Sequence, residues 1–237
     1  MEERASRRRR TLARALAPAL RLAARRALIG RARCRTAPER GRFPRGDVDE
    51  LLRATWRTFA ELSPSLPLEP TLGARMNVAL ACLTLSFHRA LSACGVERAY
   101  ATELAGDAAW VVYRRWGDAA RLVSQLRTAD PHRRLRIATG LFRRFPFGPP
   151  GYVMRDVASP DAVAFDVLRC PIAEYFRAHD ATDVCVGTWC NLDFALAESW
   201  GGRLVREGTL AGGATRCDFR WQPVPAASSA TAPAQDA

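Results

Sequence analysis

From residue 47 to residue 145 apolar side chains recur at intervals of three and four, and beyond residue 150 the interval shortens to two. The first period predicts helices. "GDVDELLRATWRTFAEL" starts at an Asp47 cap and sets Leu51, Leu52, Trp56 and Phe59 on one face, before the prolines of "SPSLPLEP" end it. "TLGARMNVALACLTLSFHRALSACG" is apolar almost all round, which predicts the most buried helix, capped by Thr71 and closed by Gly95. A helix ending near Gly117 follows, and then a third segment divided at Pro131. After "PFGPPG" the texture changes. "GYVMRDV" and "VAFDVLRC" read as short strands, "PIAEYFRAHDA" as a short helix, and "VCVGTWCNLDFALAESW" as a loop leading into another helix. "RLVREGTLA", "GGA" and "TRCDFRWQ" predict a hairpin. The fold class is therefore α+β: a helical N-terminal half (46–145) followed by an antiparallel sheet with inserted short helices (150–222). Residues 223–237, rich in Ala, Ser and Pro, read as a disordered tail.

Charge changes the reading of the N-terminus. The chain of 237 residues carries a net charge of +12, and residues 1–45 hold 15 arginines against three glutamates. The remainder is electrically balanced, so the excess belongs to a basic extension and not to a nucleic-acid-binding face. No specific nucleic-acid signature, Gly-rich phosphate loop, GxSxG or HExxH motif is present. Within the extension Pro18 is expected to interrupt any helix, and Arg21, Arg25 and Arg26 break the apolar run of a secretory signal. Three readings stand: a peripheral membrane contact made by residues 1–45, a solvated or partly docked helix, or an organelle-type transit peptide. No stretch reaches the roughly 18 apolar residues of a membrane span. Seven cysteines, an odd number in a chain long enough to fold without staples, point to a reducing cytoplasm.

Four of those cysteines crowd into residues 170–217. Cys170 ends a strand and Pro171 suits the first helical position, which would put the thiol at a helix N-terminus and favour the thiolate. Cys190 and Asp193 are three apart, so a helix starting near Asn191 places them on one face. Together they serve as nucleophile and base, or as metal ligands. The Cys185–Cys190 spacing is a weak zinc signal by itself. In "TRCDFRWQ" the alternation turns Cys217, Phe219 and Trp221 inward and Arg216, Asp218 and Arg220 outward, so Asp218 reads most simply as part of a solvated charge ladder. Arg206 on the partner strand is available to hold a carboxylate. His88, His132 and His179 occupy packing or surface contexts.

In order and spacing, "RCPIAEYF", "CNLDFAL" and "VREGTLAGGATRCDFRW" resemble the C-terminal pattern of the L-2-amino-thiazoline-4-carboxylic acid hydrolase family. "ARMNVALACLTLSFHRALSACGVERAYATEL" is similar to its helical core, and the likeness spans residues 47–222. The matching positions are Cys170, Cys190, Asp193, Arg206, Thr209, Gly213, Cys217, Asp218 and Phe219, while Ile172 and "ATDVCVGTWC" depart from the pattern. The resemblance implies hydrolytic opening of a cyclic isothiourea towards a carbamoyl-cysteine, a step of cysteine biosynthesis. The catalytic candidates are Cys190, Asp193, Cys170, Cys217 and Asp218, with Arg206 and Thr209 binding a small-molecule substrate. Either a cysteine thiolate attacks the ring carbon with no cofactor, or Cys170, Cys190 and Cys217 hold Zn²⁺ and a bound hydroxide attacks. A different class also remains, a non-catalytic ligand- or zinc-binding regulatory module.

Overall fold

The computed structural model describes residues 16–224. A helix over 16–28 (α1) leads into α2 (Arg45–Leu62), α3 (Leu72–Ala93), the long α4 (Arg98–Arg127) and α5 (Pro131–Arg144). Then come β1 (Val153–Val157), β2 (Val163–Arg169), α6 (Pro171–Arg177) and α7 (Thr182–Cys185). A single π-helical turn (Val186–Cys190) joins α7 to α8 (Asn191–Ser199), and β3 (Gly202–Val205) and β4 (Cys217–Pro223) complete the chain. The sheet is antiparallel throughout, in the order β1-β2-β4-β3. This is the α+β arrangement that the change of period predicts.

Several local expectations hold for their stated reasons. The Thr71 hydroxyl accepts the Ala74 N–H at the start of α3, and Gly95 beyond its end has φ +82°, a conformation glycine adopts freely. Asp130 accepts the Arg133 N–H and caps α5 ahead of Pro131.

Others are corrected. Pro18 does not interrupt a helix: α1 runs unbroken from the first described residue to 28, with Pro18 near that start. Helix α2 starts at Arg45, so Asp47 lies in its first turn and not at the cap. Gly117 does not end a helix either. It lies inside α4 because α8 packs against it, and a Cβ there would come within 2.4 Å of a Leu196 methyl. The 117 carbonyl accepts the Trp200 indole N–H at 3.0 Å. Residues 185–190 are helical, not a loop, and β3 and β4 are joined by the long connection 206–216, not a tight turn. Pro223 belongs to β4; the rest of the expected tail, from 225, and the extension before 16 lie outside the described residues.

From residue 16 onward the basic segment is packed. Leu20, Ala23, Ala24, Ala27 and Leu28 are buried in the cluster that holds the buried faces of α2, α3 and α4, and Phe43 joins them. Arg31 reaches Asp107 at 2.9 Å and Glu103 at 3.1 Å on α4, and Arg25 reaches Asp49 on α2 at 2.9 Å. Among the described residues no helix is long and apolar enough to cross a membrane.

A second buried cluster joins the later half of α4 to α5, α8 and the sheet. Phe147, Cys170 and Leu210 pack against both clusters, so Cys170 marks the seam between the helical half and the sheet. The candidate site opens at that seam.

Candidate active site

Three elements deliver the thiols to one place. Strand β2 leads through Arg169 into Cys170, the residue before α6, and β4 begins at Cys217, which pairs with Val167, three residues before Cys170. The continuous helical run from Thr182 to Ser199 carries Cys185, Cys190 and Asp193. All four cysteines, Asp193 and Arg206 line a single cavity of about 100 Å³ whose walls are mostly apolar and rich in aromatic rings, including Tyr113, Phe147, Trp189 and Phe219. The inward turn of Cys217, Phe219 and Trp221 follows from strand alternation, as expected from the sequence.

The polar centre is a chain of contacts. The Tyr113 hydroxyl donates to Asp193 Oδ1 at 3.1 Å, and Arg206 Nη1 donates to Asp193 Oδ2 at 3.1 Å. Arg206 Nη2 donates to the Cys190 carbonyl at 2.9 Å, tying the cysteine and the carboxylate to one guanidinium. The side chain of Arg206 is only 4% exposed, and its guanidinium lies over the rings of Phe194 and Phe219 at 4.9 and 5.3 Å. Burial pushes the Asp193 carboxyl up to about 6, with Arg206 and Tyr113 opposing the rise. It can therefore give and take a proton near neutral pH.

The four thiols are not equivalent. Cys190 is held below the usual thiol range, first by a hydrogen bond from Cys185 and further by Arg206 and the Thr209 hydroxyl, against burial and the nearby Asp193. Cys185 is raised by the same shared bond and by burial. Burial lifts Cys217 to about 11, although the Leu210 N–H donates to its sulfur at 3.2 Å. Cys170 corrects the sequence expectation of a thiolate at a helix start. The backbone N–H groups of Ala173 and Ile172 do point at it, but loss of water outweighs them and its thiol is pushed up.

Asp218 is placed away from the cavity lining. Its carboxylate accepts the N–H groups of Glu207 at 3.1 Å and Gly208 at 2.8 Å, fixing the start of the connection 206–216. It is thus a loop anchor and not a rung in a solvated ladder. The arginines beside it, Arg216 and Arg220, turn instead to Asp166, which also takes Arg155. Thr209 accepts the Gly212 N–H at 2.9 Å, while Arg206, with both terminal nitrogens engaged, faces Asp193. Among the described residues no group of three or more His, Cys, Asp or Glu side chains is arranged to hold a metal ion.

Sequence reasoning missed Tyr113, and it left Cys185 out of the catalytic candidates although that residue lines the cavity. Tyr113 sits mid-helix with no local signal beyond its aromatic character. Cys185 was legible only as half of a spaced cysteine pair, because its place on the cavity wall beside Cys190 follows the π turn.

Fold and site together define a class: an α+β protein with an apolar, aromatic-rich cavity presenting a thiol held below the usual range beside a buried carboxyl. Residues 86–221 match the L-2-amino-thiazoline-4-carboxylic acid hydrolase family model, and the chain belongs to that family. No curated protein and no solved structure matches the chain.

Proposed function

We propose that the protein is a hydrolase that opens a small cyclic amidine or isothiourea ring, of the 2-amino-thiazoline-4-carboxylate type, with Cys190 as nucleophile and Asp193 as the acid and base. The observation that supports this reading most is the convergence of Cys190 and Asp193 on Arg206 at one wall of an aromatic cavity. Aromatic faces suit a flat, protonated amidine ring.

The ring carbon between nitrogen and sulfur is electrophilic once the amidine is protonated. The Cys190 thiolate adds to that carbon, forming a C–S bond and a neutral tetrahedral adduct. Protonated Asp193 gives its proton to the ring nitrogen, the ring C–N bond breaks, and the exocyclic nitrogen supplies the electron pair for a new C=N bond. Water then adds to this carbon while the Asp193 carboxylate takes its proton. Collapse expels the Cys190 thiolate, and the released proton goes to the freed amine. The sum is substrate plus one water giving an S-carbamoyl-cysteine. Tyr113 and Arg206 hold the Asp193 carboxyl in place throughout. Arg143, also on the lining, is the cation we assign to the substrate carboxylate; it stacks on Phe165 at 4.5 Å and pairs with the exposed Asp156.

The test is incubation of the purified full chain with 2-amino-thiazoline-4-carboxylate, followed by chromatography and mass detection of a product heavier by one water. Asp193→Asn should lower the rate at pH 7 by on the order of 10²-fold or more, the usual contribution of a positioned acid or base. Full turnover by that variant would overturn the assignment, and absence of turnover by the native chain would overturn the activity.

A further inference from the structure

We propose that a second cavity, beside the candidate active site, binds a linear fatty carboxylate, with its chain held between α1, α3 and α4 and its carboxylate on Arg115. This cavity of about 290 Å³ is larger than the one lined by the cysteines and shares only the wall of Tyr113 and Trp189 with it. Small side chains hollow it out: Ala19 and Ala23 of α1 and Ala105, Ala108 and Ala109 of α4 all face the same space. Met76, Leu80, Leu83 and Phe87, spaced along one face of α3, complete an alkyl-rich wall. Its size sets it apart from a packing fault. Protein interiors hold few voids larger than a water molecule, and alkyl-lined space left empty costs stability in proportion to its volume. At roughly 30 Å³ for each small unit, the room one water takes in the liquid, the cavity holds a chain of about ten carbons.

The charge on the lining lies at one place. Arg115 is the only charged residue there and the only exposed one, which sets it at the mouth. On the same helix Arg114 and Arg121 both turn to Asp118, at 3.5 and 3.7 Å, whereas Arg115 has no acidic partner among the described residues. Deeper in, the Thr84 hydroxyl donates to the Leu80 carbonyl at 2.9 Å and the Asn77 amide to the Tyr152 hydroxyl at 2.9 Å, so both side chains are engaged within the protein. A guanidinium at the mouth of an alkyl-lined space suits an anion joined to an apolar tail. A bare small anion would leave the cavity unfilled, and a neutral apolar ligand would leave Arg115 without a counter-charge. The assignment does not depend on the chemistry of the neighbouring site.

Isothermal titration of the full chain with sodium decanoate, sodium hexanoate and 1-decanol tests the site. Decanoate should bind saturably, one per chain. Hexanoate should bind on the order of 10²-fold more weakly, at roughly fourfold for each methylene no longer buried. Arg115→Gln should weaken decanoate about three- to fivefold, the reach of an exposed ion pair, and leave 1-decanol unchanged. Ala109→Phe, which fills the cavity from α4, should remove binding, whereas Arg143→Gln, in the cysteine-lined cavity, should leave it as it is. No saturable binding of decanoate by the full chain overturns the proposal. So does decanoate binding that Arg115→Gln leaves unchanged, or that Arg143→Gln abolishes. If Ala109→Phe does not fold, the two arginine variants and the dependence on chain length decide.

Discussion

Replacing Arg206 by methionine removes a buried cation while keeping much of the side-chain length, and its cost should depend on pH through Asp193. In the native protein the Asp193 carboxyl is raised from an ordinary 3.8 to about 6. Between those pH values the folded state binds more protons than the unfolded state, so stability falls as pH rises through that window and levels off above it. Arg206 is the main charge holding the folded value down, so without it the folded value climbs further. The variant should keep losing stability above pH 6, by about 1.4 kcal/mol per pH unit, until it reaches the roughly 3–5 kcal/mol typical of a buried charge deprived of its partner. Urea unfolding of both proteins at pH 5, 6, 7 and 8 measures this directly. The difference between them should be smallest at pH 5 and should widen steadily from pH 6 to pH 8. A difference that is the same at every pH would refute the reasoning and assign Arg206 to packing over Phe194 and Phe219 alone.

Two further outcomes follow from the packing. A chain beginning at Gly46 lacks the buried Leu20 and Leu28, each worth about 1.5–3 kcal/mol in burial, as well as three buried alanines. It should melt well below the full chain or aggregate, as followed by circular dichroism, and an unchanged melting temperature would show that α1 contributes nothing to the core. Asp218→Ala leaves the Glu207 and Gly208 N–H groups without their acceptor. It should lower stability by about 1–3 kcal/mol and speed hydrogen exchange within 206–216, whereas exchange identical to the native chain would contradict its role as anchor.

The helical half was legible because long runs at helical period leave little choice of element, and Thr71, Gly95 and Pro131 mark boundaries by their own backbone chemistry. Where the reading slipped, a neighbour in space overrode a local preference. Gly117 looks like a stop, yet the approach of Leu196 makes it a contact point inside α4. In α1 the buried stripe of Leu20, Ala23, Ala24, Ala27 and Leu28 was masked by the arginines between them, which lower the average hydropathy without touching the inward face. In the site, alternation was enough to turn Cys217 inward, and the three-residue spacing was enough to pair Cys190 with Asp193. The ionisation order was not legible. It depends on how completely water is excluded, and burial reverses the expectation for Cys170 while the Cys185 thiol and Arg206 lower Cys190. Tyr113 lies 80 residues from Asp193 in sequence, so only the folded chain shows their contact.

The central claim, that Cys190 adds to the ring carbon of the substrate, is tested most directly by rapid acid quenching of the native chain during turnover of 2-amino-thiazoline-4-carboxylate, followed by intact and peptide mass measurement. The account predicts a protein species heavier by the mass of one substrate, with the added mass on the peptide containing Cys190, and neither adduct nor turnover in Cys190→Ala at an unchanged melting temperature. Turnover by Cys190→Ala at the native rate, or the added mass on Cys170 or Cys217, would contradict it.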